Sequence, residues 1–194
     1  DEAQTVDIPE VSTSAKFDDD KESNPLEELT IIDRVTYKGL EIGKEYTVNG
    51  VLMDKETGMA LIVDGKEVTS TITFVVEASD GYIDLAFTVP GEAVRGKTLV
   101  VFESLLHEDK LVAIHHDIED EAQTLRVTDP KDGTTATVNG QKSAVAAENM
   151  TIVDRFEYEG LVVGKTYIVK GILMDKATGS PLLINGKTVE AETE

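Results

Sequence analysis

The chain has 194 residues, 38 acidic against 18 basic, a net charge of -20 and 40% hydrophobic residues. So acidic a chain is repelled by nucleic acid and by anionic membrane surfaces, and its apolar content suits one large globular domain or two smaller ones. It has no cysteine, which excludes disulfides and thiolate metal sites, and no apolar run approaches the roughly 20 residues of a membrane span.

In chain order, the opening Asp1-Glu2-Ala3-Gln4-Thr5 returns as Asp120-Glu121-Ala122-Gln123-Thr124, so residues 1–6 read as the tail of a preceding repeat. Asp18 to Glu28 is polar and contains Pro25; it is expected to be a surface loop between the first two strands, and its acids lack the spacing of a calcium loop. From there the pattern has period two. Tyr82 to Val89 places Ile83, Leu85, Phe87 and Val89 on one face, and Val68, Ile72, Phe74 and Val76 share another such parity. Turn signals at Asn49-Gly50, Thr57-Gly58, Asp64-Gly65, Asp80-Gly81, Pro90-Gly91 and Arg95-Gly96 divide these runs. Many short strands between glycine-rich turns predict an all-β fold, an antiparallel sandwich of immunoglobulin-like kind.

The chain also repeats itself. Ile31-Ile32-Asp33-Arg34 returns as Ile152-Val153-Asp154-Arg155, an offset of 121 (152 less 31), and the same offset carries Thr13 onto Thr134 and Gly50-Val51-Leu52-Met53-Asp54-Lys55 onto Gly171-Ile172-Leu173-Met174-Asp175-Lys176. Residues 7–127 therefore form one complete repeat, and residues 128–194 the N-terminal half of a second, with a junction at Thr128 to Gly133. The second copy keeps Thr134 and Asp154 but has no counterpart of Glu103, His115 or Gln123. It cannot complete a site by itself. The polypeptide is expected to continue beyond Glu194, or another chain to complete this half, and Gln4, which brings no Glu or His with it, is not expected to serve Thr134.

Strand parity places several polar residues on apolar faces. Thr13 shares its face with Val11, Ala15 and Phe17; Asp33 with Leu29, Ile31, Val35 and Tyr37; Gln123 with Leu125 and Val127; and Glu103 with Leu99, Val101 and Leu105. An unpaired buried polar group costs on the order of 1 to 3 kcal/mol, so these four are expected to face one another. Parity alone leaves two readings, a hydrogen-bond network that merely fixes strand register and a reactive cluster. Period two puts His116, not His115, on the apolar face with Val112, Ile114 and Ile118.

Val100-Val101-Phe102-Glu103 and the run His115 to Thr124, HHDIEDEAQT, with Thr13-Ser14-Ala15 and Asp33 to Tyr37 ahead of them, resemble in order the VaFE-repeat, ester-bond domains of Gram-positive surface adhesins. The resemblance implies CnaB-like β-sandwiches in tandem and an autocatalytic crosslink between Thr13, the nucleophile, and Gln123, the electrophile, with release of ammonia. Glu103 would be the protonated acid that polarises the carbonyl, Asp33 and His115 would move protons, and Asp117 would support them. Family spacing selects His115, periodicity His116; a bulge in that strand would reconcile them.

The same resemblance implies a stalk domain tied from first to last strand, with no external substrate and no cofactor or metal. It further implies neighbouring repeats as partners, a host ligand held by another domain, and an extracellular, wall-anchored location with anchor and signal peptide outside the sequence. The principal alternative is an isopeptide from Lys16 to an asparagine or aspartate, although Lys16 has outward parity. A second is an uncrosslinked ligand-binding sandwich using loops such as Asp18 to Glu28. A hydrolase using His115, Asp117 and a serine lacks a GxSxG element.

Overall fold

The alternating runs of the first repeat become strands whose buried residues fall at every second position. The computed structural model describes residues 9–18 and 20–194; the Asp1 to Thr5 copy of the motif, with Gln4, lies outside the described residues. Strands β1 (Glu10–Phe17), β2 (Glu22–Ser23), β3 (Glu28–Lys38), β4 (Glu45–Asp54), β5 (Met59–Ala60), β6 (Ile62–Val63), β7 (Lys66–Glu67) and β8 (Thr69–Val75) are followed by β9 (Gly81–Pro90), β10 (Thr98–His107), β11 (Lys110–His115) and β12 (Thr124–Val127). One sheet has the order β1-β3-β9. The other runs β2-β12-β10-β4-β5, with β11 also on β10 and β8 also on β4.

The two sheets bury one core between them. Ile31, Val35, Leu85 and Phe87 of the first sheet and Val48, Leu52, Leu99 and Leu125 of the second are each almost fully buried in a single cluster, and this burial is the main stabilising term. The sheets come close at Gly50 in the middle of β4, where a Cβ would lie 2.7 Å from Cζ of Phe87. Asn49-Gly50 is therefore a strand position and not the turn its sequence suggests. The Asp64-Gly65 signal does form a tight turn between β6 and β7, with φ of 51° and 76°, as such a hairpin requires.

The segment from Asp18 to Glu28 is more than a loop. Within it β2 pairs in parallel with β12, Arg126 opposite Glu22 and Val127 opposite Ser23, and Thr128 donates from its backbone N to Ser23 O at 2.9 Å. The chain divides into compact units between Asp129 and Pro130, within the segment from Thr128 to Gly133.

In the second unit β13 (Lys131–Val138) pairs with β14 (Ile152–Glu159). The register repeats that of β1 with β3: Thr134 opposite Phe156 and Ala136 opposite Asp154 match Thr13 opposite Val35 and Ala15 opposite Asp33. Thr134 and Asp154 are exposed, as are Val153, Ile172 and Leu183.

Candidate functional site

Thr13 lies on the inward face of β1, between the edge of one sheet and the end of the other. Ala15 N donates to Ala122 O at 3.1 Å, which brings the first strand against the residue before Gln123. The inward parity of β3 delivers Asp33, and that of β10 delivers Glu103. Asp33 and Gln123 are fully buried, Glu103 is 1% exposed and Thr13 8%. The four polar residues expected on apolar faces are thus all interior. Gln123 joins the acids directly: its Nε2 donates to Glu103 Oε1 at 2.8 Å and to Asp33 Oδ1 at 3.0 Å.

Burial sets the protonation of the two acids. Desolvation, with Asp33 next to it as hydrogen-bond partner and like charge, pushes Glu103 up to about 11, so it is neutral at pH 7. Desolvation also raises Asp33, opposed by hydrogen bonds from Glu103 and Gln123 and by the charges of His115 and Lys21. Glu103 is therefore the protonated member of the pair, and burial also favours the neutral form of Asp33.

Four buried side-chain atoms have no hydrogen-bond partner in the heavy-atom geometry of the described residues: Thr13 Oγ1, Asp33 Oδ2, Glu103 Oε2 and Gln123 Oε1. They come one from each of the four residues. A proton shared by the acids satisfies the two carboxyl oxygens, and the Thr13 hydroxyl is close enough to Glu103 to favour its charged form, which leaves the glutamine carbonyl oxygen. A buried carbonyl oxygen left alone costs on the order of 1 to 3 kcal/mol.

The amide orientation departs from expectation. Nε2, not Oε1, faces Glu103, so the acid is placed on the nitrogen that would leave and not on the carbonyl oxygen. Oxygen and nitrogen exchange places on a half-turn of the amide.

The choice between the two histidines is settled by a bulge. Leu106 pairs with Leu111 but Leu105 pairs with Ala113, so Val112 is an extra residue in β11 and the parity beyond it is reversed. His115 then stands directly opposite Glu103, on the same face. Its Nε2 lies 2.6 Å from Asp120 Oδ2. His116 points the other way, its ring stacked on Phe102 at 5.0 Å and its Nε2 3.2 Å from Ser104 Oγ. Asp117, expected to support the chemistry, is exposed and accepts the Glu119 N–H at 3.0 Å; it shapes the turn, and the carboxylate on His115 belongs to Asp120. Asp120 Oδ1 also accepts the Ala122 N–H at 2.7 Å, which ties the histidine support to the backbone next to Gln123.

Sequence reasoning missed Asp120 and Lys21. Asp120 stood inside the motif, three residues before Gln123. Lys21 could have been found from the repeat, since it recurs as Lys142 at the same offset. Lys16, the isopeptide candidate, is exposed on the outward face of β1.

Fold and site together define a class: an immunoglobulin-like all-β domain whose two sheets meet at a buried threonine, glutamine and acid pair. The family described as the T-Q ester bond containing domain matches residues 9–127 and again 130–194. The chain belongs to that family. Among solved structures it is similar to a bacterial adhesin from Mobiluncus mulieris containing intramolecular disulfide, isopeptide and ester bond cross-links, in two crystal forms. Identity is 16% in both, with TM-scores of 0.54 and 0.53 over 96% and 97% of this chain and 93% of the adhesin chain. No curated protein matches in sequence.

Proposed function

We propose that the first unit forms an autocatalytic ester between Thr13 Oγ1 and the side-chain carbonyl carbon of Gln123, and serves as a crosslinked stalk segment of a bacterial surface adhesin. Oγ1 attacks the carboxamide carbon, the new C–O bond forms, the C–N bond breaks and ammonia leaves. The hydroxyl proton passes to the Glu103 and Asp33 pair, and the pair returns one proton to the departing nitrogen, which already contacts both acids. Atoms and charge balance, and the acids end as they began. His115, held by Asp120, would when protonated favour the ionised form of Asp33. Each molecule reacts once with itself, so the product is a structure and not a turnover.

The observation that carries this reading is the burial of the Thr13 hydroxyl and the Gln123 carboxamide together beside a protonated acid. The adhesin role draws on the family and on the cross-linked Mobiluncus adhesin, with neighbouring repeats as mechanical partners and host binding assigned to other domains. Intact mass tests the bond. The chain should lack one ammonia, Thr13→Ala should retain it, and hydroxylamine should open the crosslink, whereas an isopeptide would survive. A wild-type mass equal to the full sequence mass refutes the proposal.

A further inference from the structure

Lys21 belongs neither to the motif nor to the reacting cluster, yet its ammonium is held in place by the two segments that must meet. Nζ donates to the backbone carbonyl of Ala15, two residues beyond Thr13, at 2.5 Å, and to that of Ala122, the residue before Gln123. Its own carbonyl accepts the Arg126 N–H at 2.8 Å, fixing the stem of the side chain to β12. The turn that returns the chain for this contact is closed by paired backbone bonds between Phe17 and Asp20.

The second unit provides an independent observation. At the 121-residue offset, Val138 and Gln141 exchange the same pair of backbone bonds, and Lys142 Nζ donates to Ala136 O at 2.8 Å. The closing residues differ, Asp20 against Gln141, while the lysine contact is kept. In that unit the lysine holds only the threonine strand, with no counterpart of Ala122 among its residues.

We infer that Lys21 is a positioning residue for ester formation: it waits on the threonine strand and captures the Ala122 carbonyl, which sets Thr13 against Gln123 and places a cation beside Asp33. The inference rests on the ester reading. The groups facing Asp33 are Glu103 from β10, His115 from β11, Gln123 and Lys21; those facing Lys21 are Asp33 and Asp120. Removal of the lysine charge leaves Asp33 harder to ionise, so the pH at which the acid pair accepts the hydroxyl proton moves upward.

The test uses newly synthesised full chain, collected in denaturant before the site can assemble and refolded by dilution over a range of pH. Ammonia loss is followed by intact mass and folding by circular dichroism. Lys21→Met should crosslink roughly tenfold or more slowly, with the rising limb of its pH profile at higher pH, while Lys21→Arg should restore both. Lys21→Gln keeps hydrogen-bond donors without charge, and it carries the test if the methionine variant does not fold: its limb should also move upward. Neutral variants with the wild-type rate and limb overturn the inference, as does failure of Lys21→Arg to rescue. Absence of ammonia loss from wild type itself instead refutes the ester reading.

Discussion

One residue, Val112, decides which histidine meets the acid. Were β10 and β11 paired without the extra residue, Glu103 would face Ile114, and His115 would lie on the outer surface where simple alternation puts it. The bulge reverses that parity. His115→Ala should therefore slow crosslinking by roughly two orders of magnitude, the scale of a lost proton-handling group, while His116→Ala, which loses a stack on Phe102 and a contact with Ser104, should leave the rate unchanged. Intact-mass time courses of the two variants check this, and equal effects would refute the assignment. Parity made Thr13, Asp33 and Gln123 legible because a polar residue on an apolar face is conspicuous one strand at a time, and Glu103 less so, since Val100 and Phe102 make its strand apolar on both faces. The bulge was not legible, since it depends on how two strands pair, and Asp120 was hidden because the turn from Asp117 to Asp120 obeys no period.

The strands show the same division between local pattern and long-range contact. The inner faces of β1, β3 and β9 follow alternation residue by residue, so the sandwich could be expected from the sequence. Asn49-Gly50 could not be placed, because the reason for Gly50 is a ring from another sheet: Phe87 Cζ occupies the space of its Cβ. Gly50→Ala should cost about 1 to 3 kcal/mol by overpacking, read as a lower urea midpoint with unchanged slope, and a neutral result would mean that Phe87 moves freely. The short β2 was equally invisible. Two residues have no periodicity to detect, and its parallel pairing to β12 exists only because the chain doubles back after β1.

For the whole molecule the buried acids govern the response to pH. Glu103 is raised from 4.5 to about 11 in the fold and Asp33 is raised with it. Raised groups stabilise fully below their unfolded values, and that contribution is lost as pH climbs toward the folded value. Asp54, lowered by Lys97 in spite of its burial, and Asp84, lowered by Arg34, act oppositely, and their contribution disappears at acid pH. An uncrosslinked variant such as Thr13→Val should be most stable near the ordinary carboxyl range and lose of order 1 kcal/mol per pH unit from about pH 5 to 9, measured by urea unfolding; a flat or rising profile would contradict the buried proton.

The placement of Thr13 and Gln123 has a last consequence, for length. Thr13 is the fourth residue of β1 and Gln123 immediately precedes β12, so with the ester in place tension entering at one end of the unit leaves at the other through only a few residues of backbone. About 110 residues lie in the closed ring, and at roughly 3.4 Å each they represent on the order of 370 Å of slack that no pull can release. A tether built of units crosslinked in this way would keep its reach under load, and unfolding of its sheets would not lengthen it.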